Sequence, residues 1–153
     1  HCGVAPRNIH ASVVGEHGDS EVLLWSLAYI AGLRVDQFCD LACVEPVSRQ
    51  DVDRQVRNAA NEIISRKGAT YYAISLAVKR ICESIIRDEN SILSVTGLVD
   101  GPYGIRDCCL GLPAVINARG RGRLLELPLT KEEEEALRDS AAIITDAIKQ
   151  LDL

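Results

Sequence analysis

The residues of this chain that are best suited to chemistry lie in one short polar segment, GEHGDS, at positions 15–20. It holds His17, one of three histidines in the chain, between glycines that let a ligand approach the backbone closely. Imidazole gains and loses a proton near neutral pH, so a histidine in a loop at a strand end is well placed for acid/base catalysis. The alternative is an ordinary surface histidine, as most loop histidines are.

Two neighbours of His17 raise a second hypothesis, a serine hydrolase. Asp19 and Ser20 complete the residue types of a Ser–His–Asp triad. A triad is defined by its geometry, however, and adjacent side chains in one loop seldom point at one another in the required order. This hypothesis therefore ranks below acid/base catalysis by His17, and it predicts that Ser20→Ala abolishes an esterase activity.

The six cysteines do not form a metal-binding or redox motif. None of them is spaced as C-x-x-C, which argues against a zinc ribbon or a thioredoxin-type site, and we expect no metal. Cys108 and Cys109 lie in an apolar run and are predicted to be small buried residues. Disulfide frameworks are typical of smaller secreted chains, so these thiols favour a reducing compartment.

Composition narrows the class of protein. The chain has 153 residues and a formal net charge of −5, whereas a nucleic-acid-binding domain is usually strongly basic. No apolar run approaches the ~20 residues that a membrane-spanning helix needs, so neither nucleic acid nor a membrane is expected as a partner. The length predicts one domain. Methionine is absent, so we expect a processed chain or a piece of a longer protein.

Hydrophobic patterns in the first half predict one strand and two helices. The β-branched segment 9–15 predicts a buried strand, and 22–31 predicts a short helix or an irregular packed stretch. Ser48 resembles the start of a capping box, and Gly68 is placed to end that first helix. Its apolar positions are 52, 56, 59, 60, 63 and 64. A second helix is predicted to begin near Thr70, with an inner stripe of Thr70, Ile74, Ala77, Ile81 and Ile85.

The second half predicts an antiparallel meander followed by a helix. Strands are expected at 92–99, 108–116 and 124–129, because glycine-rich turns separate three β-rich runs. Thr130 and Glu133 form a capping box for the last helix. Its apolar stripe is Leu137, Ala141, Ile144, Ile148 and Leu151. The predicted fold class is therefore α+β, with helices packed on a mainly antiparallel sheet.

Several motifs in this chain resemble those of L-lactate dehydrogenases, members of the lactate/malate dehydrogenase family. Segment 15–20, followed by Trp25 and Ser26, is similar to the catalytic-histidine signature of that family. The segments PRNIHA at 6–11, KGATYYAI at 67–74 and GLPAVIN at 111–117, and the acidic start of the last helix, also resemble family motifs in the same order. The resemblance implies that residues 1–153 are the C-terminal substrate domain, without the N-terminal dinucleotide-binding Rossmann half.

The resemblance also implies roles for four residues. In NAD-dependent lactate dehydrogenases a hydride passes to the keto carbon of pyruvate, and a histidine that His17 resembles donates the proton. Thr70 corresponds to a threonine beside the substrate, and Ile74 to an apolar residue against the nicotinamide ring. His10, seven residues before His17, matches a histidine that helps bind fructose 1,6-bisphosphate in allosteric bacterial enzymes. Each of these three residues also has a purely structural interpretation. Thr70 would cap a helix, Ile74 would be a core side chain, and His10 would be a hydrogen-bonded histidine on a strand.

Parts of the family's catalytic machinery are expected outside this chain. The cofactor domain, the aspartate that orients the histidine, the arginine that binds the substrate carboxylate and the specificity loop all precede this region in the family. The isolated chain is therefore predicted to be inactive, and the whole protein is expected to be a cytoplasmic homo-oligomer, a tetramer. Two further alternatives stay open: a malate dehydrogenase of the same family, and a non-catalytic module for assembly or effector binding.

Overall fold

The computed structural model describes residues 2–42 and 44–151, which form three small antiparallel sheets and four α-helices. This architecture confirms the predicted α+β class. In the first sheet β1 (Ile9–His10) pairs with β4 (Tyr29–Ile30), which pairs with β5 (Leu33–Arg34). In the second sheet β2 (Val13–Val14) pairs with β3 (Val22–Leu23).

The prediction of one buried strand over 9–15 is wrong. The segment contains two strands of two residues each, and these strands belong to different sheets. Ile9 and Val13 are exposed, whereas Val14 is buried. A local β-branched pattern does not specify the partner strand, and here the chain passes from one sheet to another between His10 and Val13.

For the segment 22–31 the sequence predicted either a short helix or an irregular packed stretch. The structure shows the irregular stretch. It contains β3, a 3₁₀ turn at Trp25–Leu27 and β4, and it contains no α-helix. Helix α1 (Val35–Ala42) follows β5 and was not predicted from the sequence. Cys43, one of the six cysteines, lies outside the described residues.

The caps of the next helix, α2 (Arg49–Lys67), are confirmed. The Ser48 side chain accepts a hydrogen bond from the Asp51 amide at 3.3 Å, and Gly68 ends the helix in the left-handed conformation with φ of 82°. None of the described α2 residues is buried, so the predicted apolar stripe does not face a core in this chain.

The helix α3 (Tyr72–Ile86) begins two residues later than predicted. Tyr71 occupies its N-cap position without a side-chain hydrogen bond, so Thr70 is not the helix cap. Ile74 is 57% exposed, and its expected place in the core is wrong. The predicted inner stripe is exposed at its start and half-buried only at Ile81 and Ile85, because α3 contacts the sheet near its C-terminal end, where Ser84 is buried.

The third sheet confirms the antiparallel meander. It consists of β6 (Ser91–Val99), β7 (Cys108–Asn117) and β8 (Gly120–Leu124). The third strand was predicted at 124–129 and forms earlier, because Gly120 at φ of 85° closes a tight turn directly after β7. Strand alternation buries Cys108 and exposes Cys109, so the prediction that both thiols are buried is wrong for Cys109.

The last helix, α4 (Lys131–Lys149), has the predicted capping box in full, with Thr130 and Glu133 each bonding the other's backbone. Its fully buried Leu137 packs into the main core with side chains of β7. Those β7 side chains include Leu110 and Leu112. Within the described part of the chain, no helix combines the length and apolar character needed to cross a membrane.

Candidate active site

The loop that carries His17 is fixed at its base to β7. Gly15, directly after β2, exchanges two backbone hydrogen bonds with Gly111, each 2.9 Å long. Gly15 adopts φ of 95°, a conformation that side chains rarely allow. A side chain at Gly111 would place its Cβ only 3.1 Å from the Gly15 carbonyl oxygen. The backbone conformation therefore favours glycine at position 15, and a side chain at Gly111 would force the two backbones to shift apart.

A second attachment comes from α4. The fully buried hydroxyl of Ser140 accepts a hydrogen bond from the Glu16 amide at 2.8 Å and lies 3.0 Å from the Ser20 hydroxyl. The Glu16 carboxylate accepts hydrogen bonds from the amide and the hydroxyl of Ser20. One helix side chain thus holds both ends of the turn on which His17 lies.

His17 itself is exposed at the outer side of this turn. Among the described residues, no hydrogen bond or ion pair engages its imidazole, so both ring nitrogens are open to a ligand. The Ser20 hydroxyl, by contrast, is engaged by Glu16 and Ser140, and no hydrogen bond within the described residues joins it to His17. The relay that a hydrolase triad requires is therefore not formed.

The segment after the loop is also bound to α4. Glu133 accepts hydrogen bonds from the Ser26 amide at 2.9 Å and the Ser26 hydroxyl at 2.5 Å. Burial alone raises the pKa of Glu133, but hydrogen bonds from Ser26 and Thr130 outweigh burial and leave the pKa lowered. The ionised carboxylate is thus the form that holds this segment.

Helix α2 contacts the other side of the same segment. The Trp25 indole nitrogen donates to the Asp53 carboxylate at 2.8 Å, and the Arg49 guanidinium lies 5.7 Å from the ring centroid. Arg57 donates to the Glu21 carbonyl oxygen at 3.1 Å. These contacts join α2 to the chain on the C-terminal side of the His17 loop.

The other predicted site residues lie elsewhere on the surface. Thr70 is exposed in a cavity of about 340 Å³ between α2 and α3, whose lining does not include His17. Its lining residues are Ile63, Arg66, Lys67, Thr70, Tyr71, Tyr72 and Ala73. Ile74 is exposed in the first turn of α3. His10 is exposed on β1, where it pairs with Tyr29. The described residues alone do not bring these side chains into one cavity with His17.

Comparison with protein families places this fold and loop in a known group. Residues 1–152 match the family described as lactate/malate dehydrogenase, alpha/beta C-terminal domain.

The chain belongs to the lactate/malate dehydrogenase family.

Individual family members agree with the assignment. The chain is 46% identical over 155 residues to an L-lactate dehydrogenase of Thermoanaerobacterium saccharolyticum, covering 100% of this chain and 50% of that protein. It is 48% identical to the L-lactate dehydrogenase of Acetivibrio thermocellus, covering 100% of this chain and 49% of that protein. The solved L-lactate dehydrogenase from Clostridium thermocellum superposes with a TM-score of 0.87 at 35% identity, over 99% of this chain and 49% of that one. The chain thus spans about half the length of these relatives.

Sequence reasoning missed the residues that hold the His17 loop of this lactate/malate dehydrogenase domain. The sequence pointed to Gly111 only as part of a family motif. It predicted no structural role for Ser140, Glu16 or Ser26. One signal was present for Ser140: it is a polar residue three positions after Leu137, on the apolar face of α4. A polar residue at such a position must find a partner when it is buried.

Proposed function

We propose that this chain is the C-terminal substrate domain of an NAD-dependent L-lactate dehydrogenase in which His17 is the acid/base. The observation that carries the proposal is the exposed imidazole of His17, free of described partners, on a loop held by β7 and α4. A proton donor for catalysis must be open to the substrate and held near it; the imidazole of His17 is open, and the backbone that carries it is held by β7 and α4. The named relatives are L-lactate dehydrogenases.

The proposed chemistry requires one proton from this domain. As a hydride adds to the keto carbon of pyruvate, the carbonyl electron pair moves onto the oxygen. The imidazolium of His17 donates its N–H proton to that oxygen, which yields L-lactate and neutral imidazole. In reverse, neutral His17 takes the hydroxyl proton back. An imidazole suits both directions, because the same ring nitrogen can donate a proton and take it back.

NAD is the hydride carrier in this proposal, and this chain provides only part of its site. When bound, the reduced dinucleotide supplies the hydride. Ile74 presents an exposed apolar side chain in the first turn of α3, which fits contact with a flat nicotinamide ring. The sequence has no glycine-rich strand-to-helix fingerprint for the pyrophosphate. We therefore propose that a separate dinucleotide-binding domain provides most of the NAD site.

Thr70 is proposed as a substrate contact. It lies in the four-residue break between α2 and α3 and is exposed, so its hydroxyl can donate to a substrate oxygen. Lys67 lies beside it, with its ammonium group 4.0 Å and 4.4 Å from the ring centroids of Tyr71 and Tyr72. That stacking holds the lysine against the aromatic pair. We expect the arginine that binds the substrate carboxylate to come from outside this chain.

Assembly and regulation are proposed on the same family basis. The whole protein is expected to act in the cytoplasm as a homotetramer. His10 is exposed on β1, so its imidazole is accessible to a phosphate group. We propose that it contributes to a fructose 1,6-bisphosphate site. Activation of wild-type turnover by this effector, and its loss in His10→Gln, would support that part of the proposal.

The decisive experiment joins this chain to the dinucleotide-binding half of an L-lactate dehydrogenase and measures NADH oxidation. His17→Gln is expected to lower kcat by about 10²–10⁴-fold, since it removes the proton donor. The matched control Arg119→Gln, in the exposed turn between β7 and β8, should leave kcat unchanged. Equal rates for His17→Gln and wild type would overturn the role of His17. In the whole parent protein, a higher kcat/KM with oxaloacetate than with pyruvate would instead favour a malate dehydrogenase.

A further inference from the structure

The Ser140 hydroxyl is a buried polar group that the proton-transfer chemistry does not itself use. It lies on α4, fully buried, between side chains that belong to the apolar core. Its hydrogen bonds go to the Glu16 amide and to the Ser20 hydroxyl, which are 124 and 120 positions away in the sequence. Both partners belong to the loop that carries His17, and Glu16 directly precedes His17 in the sequence.

Ser140 packs closely against the base of the His17 loop. A Cβ at Gly15 would lie 2.7 Å from the Ser140 oxygen, closer than two such atoms can approach. The serine therefore occupies the volume that a side chain at the base of the loop would otherwise take. Because Gly15 is also hydrogen-bonded to Gly111, the backbone at His17 is held between β7 and α4.

We infer that Ser140 is a positioning residue for proton transfer: its hydroxyl fixes the backbone on both sides of His17 and thereby sets the place of the imidazole. The inference rests on the proposed acid/base role of His17. A buried hydroxyl is needed because the Glu16 amide points into the core side of the loop and must be paired there. Alanine at this position lacks the hydroxyl and would leave that amide unpaired.

The test compares Ser140→Ala with Ser84→Ala in the chain joined to the dinucleotide-binding half. Ser84 is the matched control, since it is also a fully buried helix serine and bonds the Arg80 carbonyl and Glu89, not the His17 loop. Ser140→Ala is expected to lower kcat by about 10-fold or more, because small displacements of a catalytic group are costly. The KM for pyruvate should change by less than about twofold in both variants, and Ser84→Ala should keep wild-type kcat.

A second measurement uses this chain alone and needs no turnover. Hydrogen exchange at the Glu16 amide should accelerate about 10-fold or more in Ser140→Ala and should be unchanged in Ser84→Ala. Ser140→Cys keeps an acceptor atom at the same position, but sulfur is larger than oxygen and a weaker acceptor, so this variant should fall between wild type and alanine in both measurements. This variant also serves if Ser140→Ala does not fold.

The outcomes separate the inference from the proposed function. If His17→Gln abolishes turnover while Ser140→Ala and Ser140→Cys keep wild-type kcat, the positioning role is wrong and the acid/base role stands. If His17→Gln retains turnover, the acid/base role is wrong, and Glu16 exchange still reports whether Ser140 holds the loop. Equal losses of kcat in Ser140→Ala and Ser84→Ala would show general destabilisation and would also overturn the inference.

Discussion

Glu133 and Ser140 lie seven positions apart on the same face of α4 and bind opposite ends of the segment that contains His17. Seven residues make about two helical turns, so the two side chains project in nearly the same direction. Glu133 binds Ser26, and Ser140 binds Glu16 and Ser20. Leu137 lies between them and is fully buried. One helix face therefore combines a core contact with two polar attachments of the candidate active-site loop.

Gly15 should not tolerate a side chain. Gly15→Ala is expected to destabilise the chain for two reasons. The alanine would have to adopt the φ of 95° that Gly15 has, and its Cβ would lie 2.7 Å from the Ser140 oxygen. The control Gly32→Ala carries a similar backbone cost at φ of 81°, but its Cβ would meet no atom within 4 Å. The difference between the two variants therefore isolates the contact with Ser140. We expect Gly15→Ala to lose about 1–3 kcal/mol more unfolding free energy than Gly32→Ala, as measured by urea denaturation. Equal losses would contradict the close packing at Ser140.

The Glu133–Ser26 contact should make stability depend on pH in the acid range. The pKa of Glu133 is lowered in the folded chain, so its contribution is complete above the unfolded value of about 4.3 and is lost as pH falls through the folded pKa. Glu133→Gln should therefore be less stable than wild type at pH 7, and the gap should narrow below about pH 4.

Denaturant unfolding at a series of pH values measures this gap. The control Glu132→Gln removes the same charge from the same helical turn without touching Ser26. A gap for Glu133→Gln that stays constant from pH 7 to pH 3 would argue against an ionised Glu133 as the group that holds Ser26.

Tyr103 provides a test of the contact between the β6–β7 connection and the segment that leads from β8 to α4. Its buried hydroxyl accepts from the Leu127 amide at 2.6 Å and donates to the Leu127 carbonyl at 3.2 Å. Burial raises the pKa of this tyrosine, which is the effect expected for a phenol away from water. Tyr103→Phe leaves the Leu127 amide unpaired, whereas the Leu127 carbonyl keeps its hydrogen bond from the Leu129 amide. The loss should cost about 1–3 kcal/mol of unfolding free energy. Tyr72→Phe, at a side chain that is 70% exposed, should change it by less than about 0.5 kcal/mol.

The isolated chain is expected to show no turnover with pyruvate and NADH. It presents the proposed proton donor, but the substrate carboxylate clamp and most of the NAD site are proposed to lie elsewhere. The measurement is NADH absorbance with purified chain whose ends have been verified by intact mass. Reproducible NADH oxidation that disappears in His17→Gln would show that this domain suffices for catalysis.

Local sequence signals correctly predicted both ends of α2, the start of α4 and the antiparallel order of the meander. The Thr130–Glu133 capping box, the Ser48 cap and the Gly68 stop depend on atoms within a few residues of one another. Such local hydrogen bonds can form whatever the rest of the chain packs against. The motif GEHGDS also identified His17 as the candidate catalytic residue, because the residue types and their spacing carry that information by themselves.

The tertiary structure alone decided what holds His17 in place. Ser140 and Glu16 are 124 positions apart, and Glu133 and Ser26 are 107 positions apart, so no local pattern links them. The prediction of one strand over 9–15 was wrong for the same reason. The pairing and burial of a strand depend on which distant strand or helix packs against it, and a local pattern does not show this. The sequence by itself thus predicted which side chain is proposed to transfer a proton, and only the packing of α4 and β7 decided where the backbone that carries it is held.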